Sequence, residues 1–247
     1  MYYSAGGGAD KRLICFPYAG GSSHIFRRWQ EALEKHVNVV ALELPGRGRR
    51  YTERLCHSLP ELIKDLMDSI LPYLDKPYYF FGHSMGALIA FEMTVALRRN
   101  FLPEPEHIFV SAHPAPNMHK REPLMYKLPE DEFIKRLKDM KGMPEEVLKN
   151  SELMEIMLPI LRADFSVSET YIYKPVPKTD CPITVFGGLA DEGISLEELE
   201  GWAEMTNSSF ELNLLPGDHF YITKSEPMLL KILSGKLALK SIGVSFQ

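Results

Sequence analysis

Tyr78-Tyr79-Phe80-Phe81-Gly82-His83-Ser84-Met85-Gly86, continued by residues 87–99, is the stretch on which the fold turns. Four aromatic residues closed by glycine read as a strand, and the small and apolar residues after Gly86 read as a helix. Between them, Gly82-His83-Ser84-Met85-Gly86 matches G-x-S-x-G. The bare pattern is weak. A strand directly before it and a helix directly after it turn it into a nucleophile elbow, a turn so tight that its serine is forced into a strained backbone conformation. Glycines on both flanks remove the Cβ atoms that would collide there. The serine then stands at the N-terminus of the helix, where backbone N–H groups favour developing negative charge. The plainer alternative is an ordinary strand-to-helix turn with a serine cap.

Outward from the elbow the same alternation continues. Residues 12–17 form a short apolar run ended by Pro17 and followed by Tyr18-Ala19-Gly20-Gly21-Ser22, a strand and then a loop. Ser22 or Ser23 can cap a helix running to about Lys35, with Phe26, Trp29 and Leu33 on one face. Residues 37–44 are β-rich and end in Pro45-Gly46-Arg47-Gly48. From Leu59 to about Leu74, residues Leu62, Ile63, Leu66, Ile70 and Leu74 recur at helical spacing. Downstream, residues 108–112, 183–187 and 210–215 read as strands, and Glu226 to about Leu239 as a final helix. Apolar strands alternating with helices imply a parallel sheet covered on both faces. From about Pro114 to Tyr173 the strand signal stops, and only helical segments follow, at residues 130–140, 145–148 and 152–161. This block reads as an insertion into a single domain spanning residues 1–247. Residues 1–10, with three consecutive glycines, read as a flexible leader.

Composition narrows the class without naming a function. A chain of 247 residues buries roughly 70–75% of its unfolded surface and needs no metal or disulfide staple. Its three cysteines, Cys15, Cys56 and Cys181, are odd in number and far apart, with no C-x-x-C, so neither a disulfide framework nor a zinc ribbon is expected. Reduced thiols fit the cytoplasm. Residues 1–12 lack the layout of a signal peptide, and no window reaches the ~20 apolar residues of a membrane span. With 28 Lys and Arg against 33 Asp and Glu, the formal charge is −5, which argues against a dedicated nucleic-acid binder.

A serine hydroxyl is a poor nucleophile without a base. The base should follow the elbow in the chain, with its orienting acid in between. Of 8 histidines only His219 lies beyond residue 119. It sits in Pro216-Gly217-Asp218-His219-Phe220, after a strand and at the sheet edge shared with the elbow, where ligands of open α/β sheets bind. His83 is nearer in sequence, but beside Ser84 on the elbow it should point away. For the acid, Asp131 and Asp139 lie on amphipathic helices, where solvation is the plainer role. Asp218 adjoins His219 and is poorly placed to reach its ring, and Asp180 precedes a strand at the wrong edge. Asp191 follows a strand at the right edge, where it would accept from the ring N–H, fix the tautomer and stabilise the imidazolium. Glu192 and Asp164 remain rivals. Of the two donors of an oxyanion hole, one is the N–H of Met85 and the other comes from Tyr18-Ala19-Gly20-Gly21, with Ala19 the choice. That loop fits neither G-x-G-x-x-G nor G-x-x-x-x-G-K-[ST], so a nucleotide site is not expected.

Phe16-Pro17-Tyr18-Ala19-Gly20-Gly21, Leu44-Pro45-Gly46-Arg47-Gly48, Phe81-Gly82-His83-Ser84-Met85-Gly86 and Gly217-Asp218-His219-Phe220, in this order, resemble the type II thioesterases. These stand-alone α/β-hydrolases accompany polyketide synthases and non-ribosomal peptide synthetases. Leu161-Arg162-Ala163-Asp164-Phe165, with Glu169 and Tyr171, fits as well, and the resemblance covers nearly all the chain after the leader. It implies an α/β-hydrolase fold, a mostly parallel central sheet flanked by helices with a helical lid at about residues 114–173. It implies hydrolysis of acyl thioesters on the phosphopantetheine arm of acyl or peptidyl carrier proteins, removing aberrant short acyl groups without a cofactor or metal. It maps Ser84, Asp191 and His219 onto the catalytic positions and Ala19 and Met85 onto the oxyanion hole. Two departures stand out. Tyr18 occupies a position where many relatives carry histidine, and Asp191 is followed by Glu192-Gly193 where proline is common.

Carrier domains are usually acidic, so docking should use a locally positive surface. Candidates are Arg47, Arg49, Arg50 and Arg54, or Lys135, Arg136, Lys138 and Lys141, against the plainer reading of a mixed solvated surface. Met125, Met140, Met143, Met154 and Met157 suit either an adaptable lid lining or simply core. Neither nucleic acid nor membrane is an expected partner. The alternative functions are a fatty-acyl-carrier thioesterase, a small-molecule carboxylesterase and a non-catalytic receptor, the last opposed by the intact Ser–Asp–His order.

Overall fold

The computed structural model describes residues 2–3, 9–119, 124–140, 142–143 and 145–238. Its sheet is built from β1 (Tyr2–Tyr3), β2 (Arg12–Phe16), β3 (Asn38–Ala41), β4 (Tyr78–His83), β5 (Ile108–Ser111), β6 (Ile183–Gly188) and β7 (Phe210–Leu215). The spatial order is β1-β3-β2-β4-β5-β6-β7. All neighbours run parallel except β1, which pairs antiparallel with β3. Tyr2–Tyr3 lies inside the stretch read as a flexible leader. Pairing with Ala41 and Val40 makes that part of it strand instead, because two β-favouring tyrosines satisfy an otherwise open edge.

β3, β4 and β5 are buried along their whole length, as a parallel sheet covered on both faces requires. Alternate residues serve opposite faces. Ile14, Phe16 and Phe80 join one core with Leu62 and Leu66 of α2 (Leu59–Ile70, after the short α1, Trp29–Leu33) and Leu88 of α3 (Met85–Arg99). Leu13, Cys15 and Phe81 face the other way, onto Trp29 of α1.

The helical block lies between β5 and β6. It holds α4 (Glu130–Asp139), α5 (Glu145–Leu148) and α6 (Ser151–Glu169), with no strand among its described residues. Phe133, Leu137, Met154, Leu158 and Leu161 give it a small core of its own. Arg162 lies over the Phe133 ring, 4.5 Å from its centroid, and donates to the carbonyls of Tyr126 and Leu128. Met125, Met143 and Met157 pack against this core, whereas Met140 is partly open to solvent, at 42% exposure. α6 runs eight residues beyond the helix read from the sequence. Pro159 suggests a nearby end, but the carbonyl whose bond it removes belongs to Glu155, and both residues are exposed, so water can take that place.

The remaining helices are α7 (Leu196–Glu200), α8 (Tyr221–Lys224) and α9 (Glu226–Ala238). α9 adds Leu229 and Leu233 to the second core. The helix expected up to Lys35 is instead a three-ten turn, Ser23–Phe26, followed by α1. Among the described residues, no helix is long and apolar enough to cross a membrane.

Candidate active site

Ser84 has φ 53° and ψ −122°, a region worth about 1–3 kcal/mol of strain for a residue with a Cβ. Its N–H donates to the Ser111 carbonyl at 2.7 Å, fixing the elbow to β5. Both flanking glycines are compulsory. A Cβ at Gly82 would stand 2.0 Å from the Gly86 carbonyl oxygen, and one at Gly86 would stand 2.2 Å from that of Phe16. Phe16 is the register partner of Gly82, so the turn after β2 and the elbow after β4 leave the sheet side by side. Those turns carry Ala19 and Met85, the two expected oxyanion donors. Gly21 N–H donates to the Tyr18 carbonyl at 2.8 Å, closing a tight turn around Ala19 and Gly20.

His219 enters from the loop after β7. The Ala190 N–H donates to the Gly217 carbonyl at 2.9 Å and the Leu189 N–H to that of Leu215 at 2.8 Å, tying this loop to the one after β6. A Cβ on Gly188 would lie 2.7 Å from the carbonyl oxygens of Gly217 and Asp218. The result is a chain of hydrogen bonds. Ser84 Oγ–H donates to His219 Nε2 at 3.0 Å, and His219 Nδ1–H donates to Asp191 Oδ2 at 2.8 Å. The other carboxylate oxygen of Asp191 accepts from Gly193 N–H at 3.1 Å, a bond that proline at this position could not make. The Asp191 side chain is 6% exposed and that of His219 is 23% exposed. Water can thus reach the imidazole while the carboxylate beneath it stays dry.

The rival residues have other partners. His83 is fully buried, with Nδ1 on Ser111 Oγ at 2.9 Å, and Ser111 Oγ in turn meets the Tyr221 hydroxyl. Burial, helped by the His219 ring 5.5 Å away, holds His83 neutral, well below the usual histidine range. Asp164 binds Arg47 and Gly20. Asp218 accepts from Phe220 N–H and Lys224, Asp180 accepts from Asn207, and Asp131, Asp139 and Glu192 are exposed. Tyr18 sets its ring edgewise against His83 and Phe220, at 5.7 and 5.4 Å, and so braces the His219 loop. The three cysteines are free. Burial raises Cys56 to about 11 and Cys181 to about 12, with Cys15 also well above its usual value, so none offers a thiolate at neutral pH.

The insertion touches two loops of the site. Gly142, between α4 and α5, lies against the Phe220 ring, and Leu161 of α6 lies against Gly20. The expected docking patch needs correction. Arg47 is 6% exposed, drawn inward by Asp164 and the Gly21 carbonyl, and presents no charge to a partner. Arg50 is mostly buried and pairs with Asp65 and Glu53. Arg49 and Arg54 are exposed, as are Lys135, Arg136 and Lys138, while Lys141 lies outside the described residues. Sequence reasoning missed the Arg47–Asp164 pair and the His83–Ser111–Tyr221 relay. The one signal for the former was the joint presence of Leu44–Gly48 and Leu161–Phe165 motifs, whose physical connection the chain order hides.

Comparison with known proteins gives the family of the chain. The Thioesterase domain family model matches residues 11–237. The gramicidin S biosynthesis protein GrsT of Aneurinibacillus migulanus is 39% identical over 231 residues, covering 94% of this chain and 90% of that protein. Among solved structures, the RedJ thioesterase from the prodiginine pathway of Streptomyces coelicolor aligns with a TM-score of 0.86 at 37% identity, covering 93% of this chain and 87% of that one. The type II thioesterase BorB from the borrelidin cluster aligns with a TM-score of 0.86 at 33% identity, covering 94% of each. The chain belongs to the thioesterase family, with an α/β-hydrolase fold and type II thioesterases as its relatives.

Proposed function

We propose that this thioesterase hydrolyses acyl thioesters on the phosphopantetheine arm of acyl or peptidyl carrier proteins, clearing aberrant short acyl groups in polyketide or non-ribosomal peptide synthesis. The observation that carries the reading is the Ser84–His219–Asp191 chain at 3.0 and 2.8 Å, set at the sheet edge of a thioesterase-family member.

Ser84 Oγ attacks the thioester carbonyl as His219 Nε2 takes its proton, and Asp191 stabilises the imidazolium. The tetrahedral oxyanion forms against the N–H groups of Met85 and Ala19, each a type of donor worth roughly 3–4 kcal/mol. Collapse breaks the C–S bond, and His219 returns the proton to the departing pantetheine thiol. Water, deprotonated by His219, then attacks the acyl-serine ester and releases the carboxylic acid and free Ser84. Residues 1–247 act as one domain, with residues 114–173 as the lid over the acyl group. The lid contacts of Leu161 and Gly142 with the Gly20 and Phe220 loops support that assignment. Carrier docking falls to Arg49 and Arg54, the exposed members of the first cluster.

The test is a panel of acyl chains presented on a carrier protein and as free thioesters, compared by kcat/KM. The reading expects a strong preference for carrier-bound short chains. An optimum at long chains irrespective of the carrier would replace editing by fatty-acid release.

A further inference from the structure

We propose that Asp164 is a positioning residue for the oxyanion hole, and that with Arg47 it makes the hole depend on how α6 is seated. The inference rests on the reading of Ala19 and Met85 as oxyanion donors.

The turn closed by Gly21 N–H and the Tyr18 carbonyl has Ala19 and Gly20 at its centre, with Gly20 at φ +75°. That value is close to the third position of a type II turn, and types I and II differ by a flip of the central peptide. Here the central peptide joins Ala19 to Gly20. Its N–H donates to Asp164 Oδ2 at 2.7 Å, so the carboxylate selects one of the two orientations. The expected oxyanion donor, Ala19 N–H, sits on the adjoining peptide and shares the Ala19 Cα with the one that is held.

The carboxylate is itself fixed. Arg47 reaches it through Nη1 at 2.6 Å and Nη2 at 2.7 Å, and Nη1 also donates to the Gly21 carbonyl at 3.1 Å. One ion pair therefore grips an N–H and a C=O of the same turn. Both side chains are almost wholly buried, at 7% and 4% exposure. The three parts lie far apart in the chain, with Gly20 after β2, Arg47 after β3 and Asp164 on α6. Leu161 lies one turn before Asp164 on α6, and a Cβ at Gly20 would stand 2.6 Å from its Cδ2. Farther along α6, Ser166 Oγ–H donates to the His57 carbonyl at 2.8 Å, so the helix is pinned on both sides of Asp164. Stability alone does not explain two buried charges here, because apolar replacements of such pairs are often neutral or stabilising. Orientation of the turn does explain them.

The test compares wild type with Arg47→Met/Asp164→Leu, which removes both charges and leaves neither unpaired, and with Asp164→Asn, which keeps an oxygen for Gly20. For the double variant, kcat should fall roughly 10–100-fold, less than the ~10²–10³ lost with an oxyanion donor itself, while KM stays within about threefold. Affinity for an acyl boronic acid, whose adduct on Ser84 places an oxygen in the hole, should fall by the same factor as kcat. Asp164→Asn should lie between, and Arg47→Met/Asp164→Asn, which keeps an oxygen for Gly20 and leaves no buried charge unpaired, should do likewise and carries the test should the first double variant not fold. Wild-type kcat in a folded variant, or a fall in kcat with boronate affinity intact, would overturn the positioning role. A wild-type enzyme that neither hydrolyses acyl thioesters nor binds the boronate would instead remove the reading of the site, and this inference with it.

Discussion

Replacing Gly86 by alanine sets a Cβ 2.2 Å from the Phe16 carbonyl oxygen and 2.8 Å from that of Pro17. Both obstacles are backbone at the end of β2, so no side-chain rotation relieves the clash. To reach even 3.0 Å from Phe16, the elbow and the turn after β2 must separate by about 0.8 Å. Overpacking of this kind typically costs about 1–3 kcal/mol, which in a chain of this size lowers Tm by roughly 2–12 °C. The rate should suffer more than the fold, because the same movement pulls Met85 from Ala19 and stretches the 3.0 Å Ser84–His219 bond. A displacement near 1 Å costs roughly 10²-fold in rate. The assay is kcat on an acyl thioester, followed through the released thiol, with calorimetry on the same sample. Gly235→Ala is the control. It lies in α9 with nothing within 4 Å of its Cβ position, and should leave kcat unchanged while stabilising the helix by up to ~1 kcal/mol. A folded Gly86→Ala enzyme with wild-type kcat would refute the elbow argument.

Asp191→Asn should lower kcat by about 10⁴ with KM nearly unchanged, the penalty of a misassigned imidazole tautomer; a loss below tenfold would remove Asp191 from that role. Arg49→Glu/Arg54→Glu should raise KM for carrier-bound substrate and leave a small free thioester unaffected, whereas equal effects on both would end the docking assignment. Burial pushes His113 down to about 3 and His107 to about 4, so between pH 6.5 and these values the unfolded chain binds more protons than the folded one. Stability is therefore complete above about pH 6.5 and falls as the pH drops, by about 2 kcal/mol per histidine between pH 7 and 5. Urea unfolding of His113→Gln should show a pH dependence shallower by that amount, and an unchanged dependence would contradict the buried neutral state.

The elbow was legible because glycine and serine at that spacing describe backbone geometry directly: 2.0 and 2.2 Å approaches leave only glycine. His219 and Asp191 were legible because parallel strands bring every strand's carboxyl end to one edge, so position after a strand stands in for position in space. Arg47 was misread because the side chain that buries it comes from Asp164, on a helix 117 residues away, and an arginine in a polar loop otherwise reads as solvated. α7 has one local sequence signal, the Ser195 and Glu198 capping box, but at five residues it is too short for a helical period to show. The extension of α6 was hidden by Pro159, whose effect depends on exposure that only packing decides.

The most direct measurement is the intact mass of a short-chain acyl carrier protein incubated with wild type or with Ser84→Ala. Wild type should return the carrier to its free-thiol mass. The variant should leave the acyl group in place, with a deficit approaching the ~10⁶-fold seen when a hydrolase loses its serine nucleophile. Deacylation by Ser84→Ala at the wild-type rate would contradict the account.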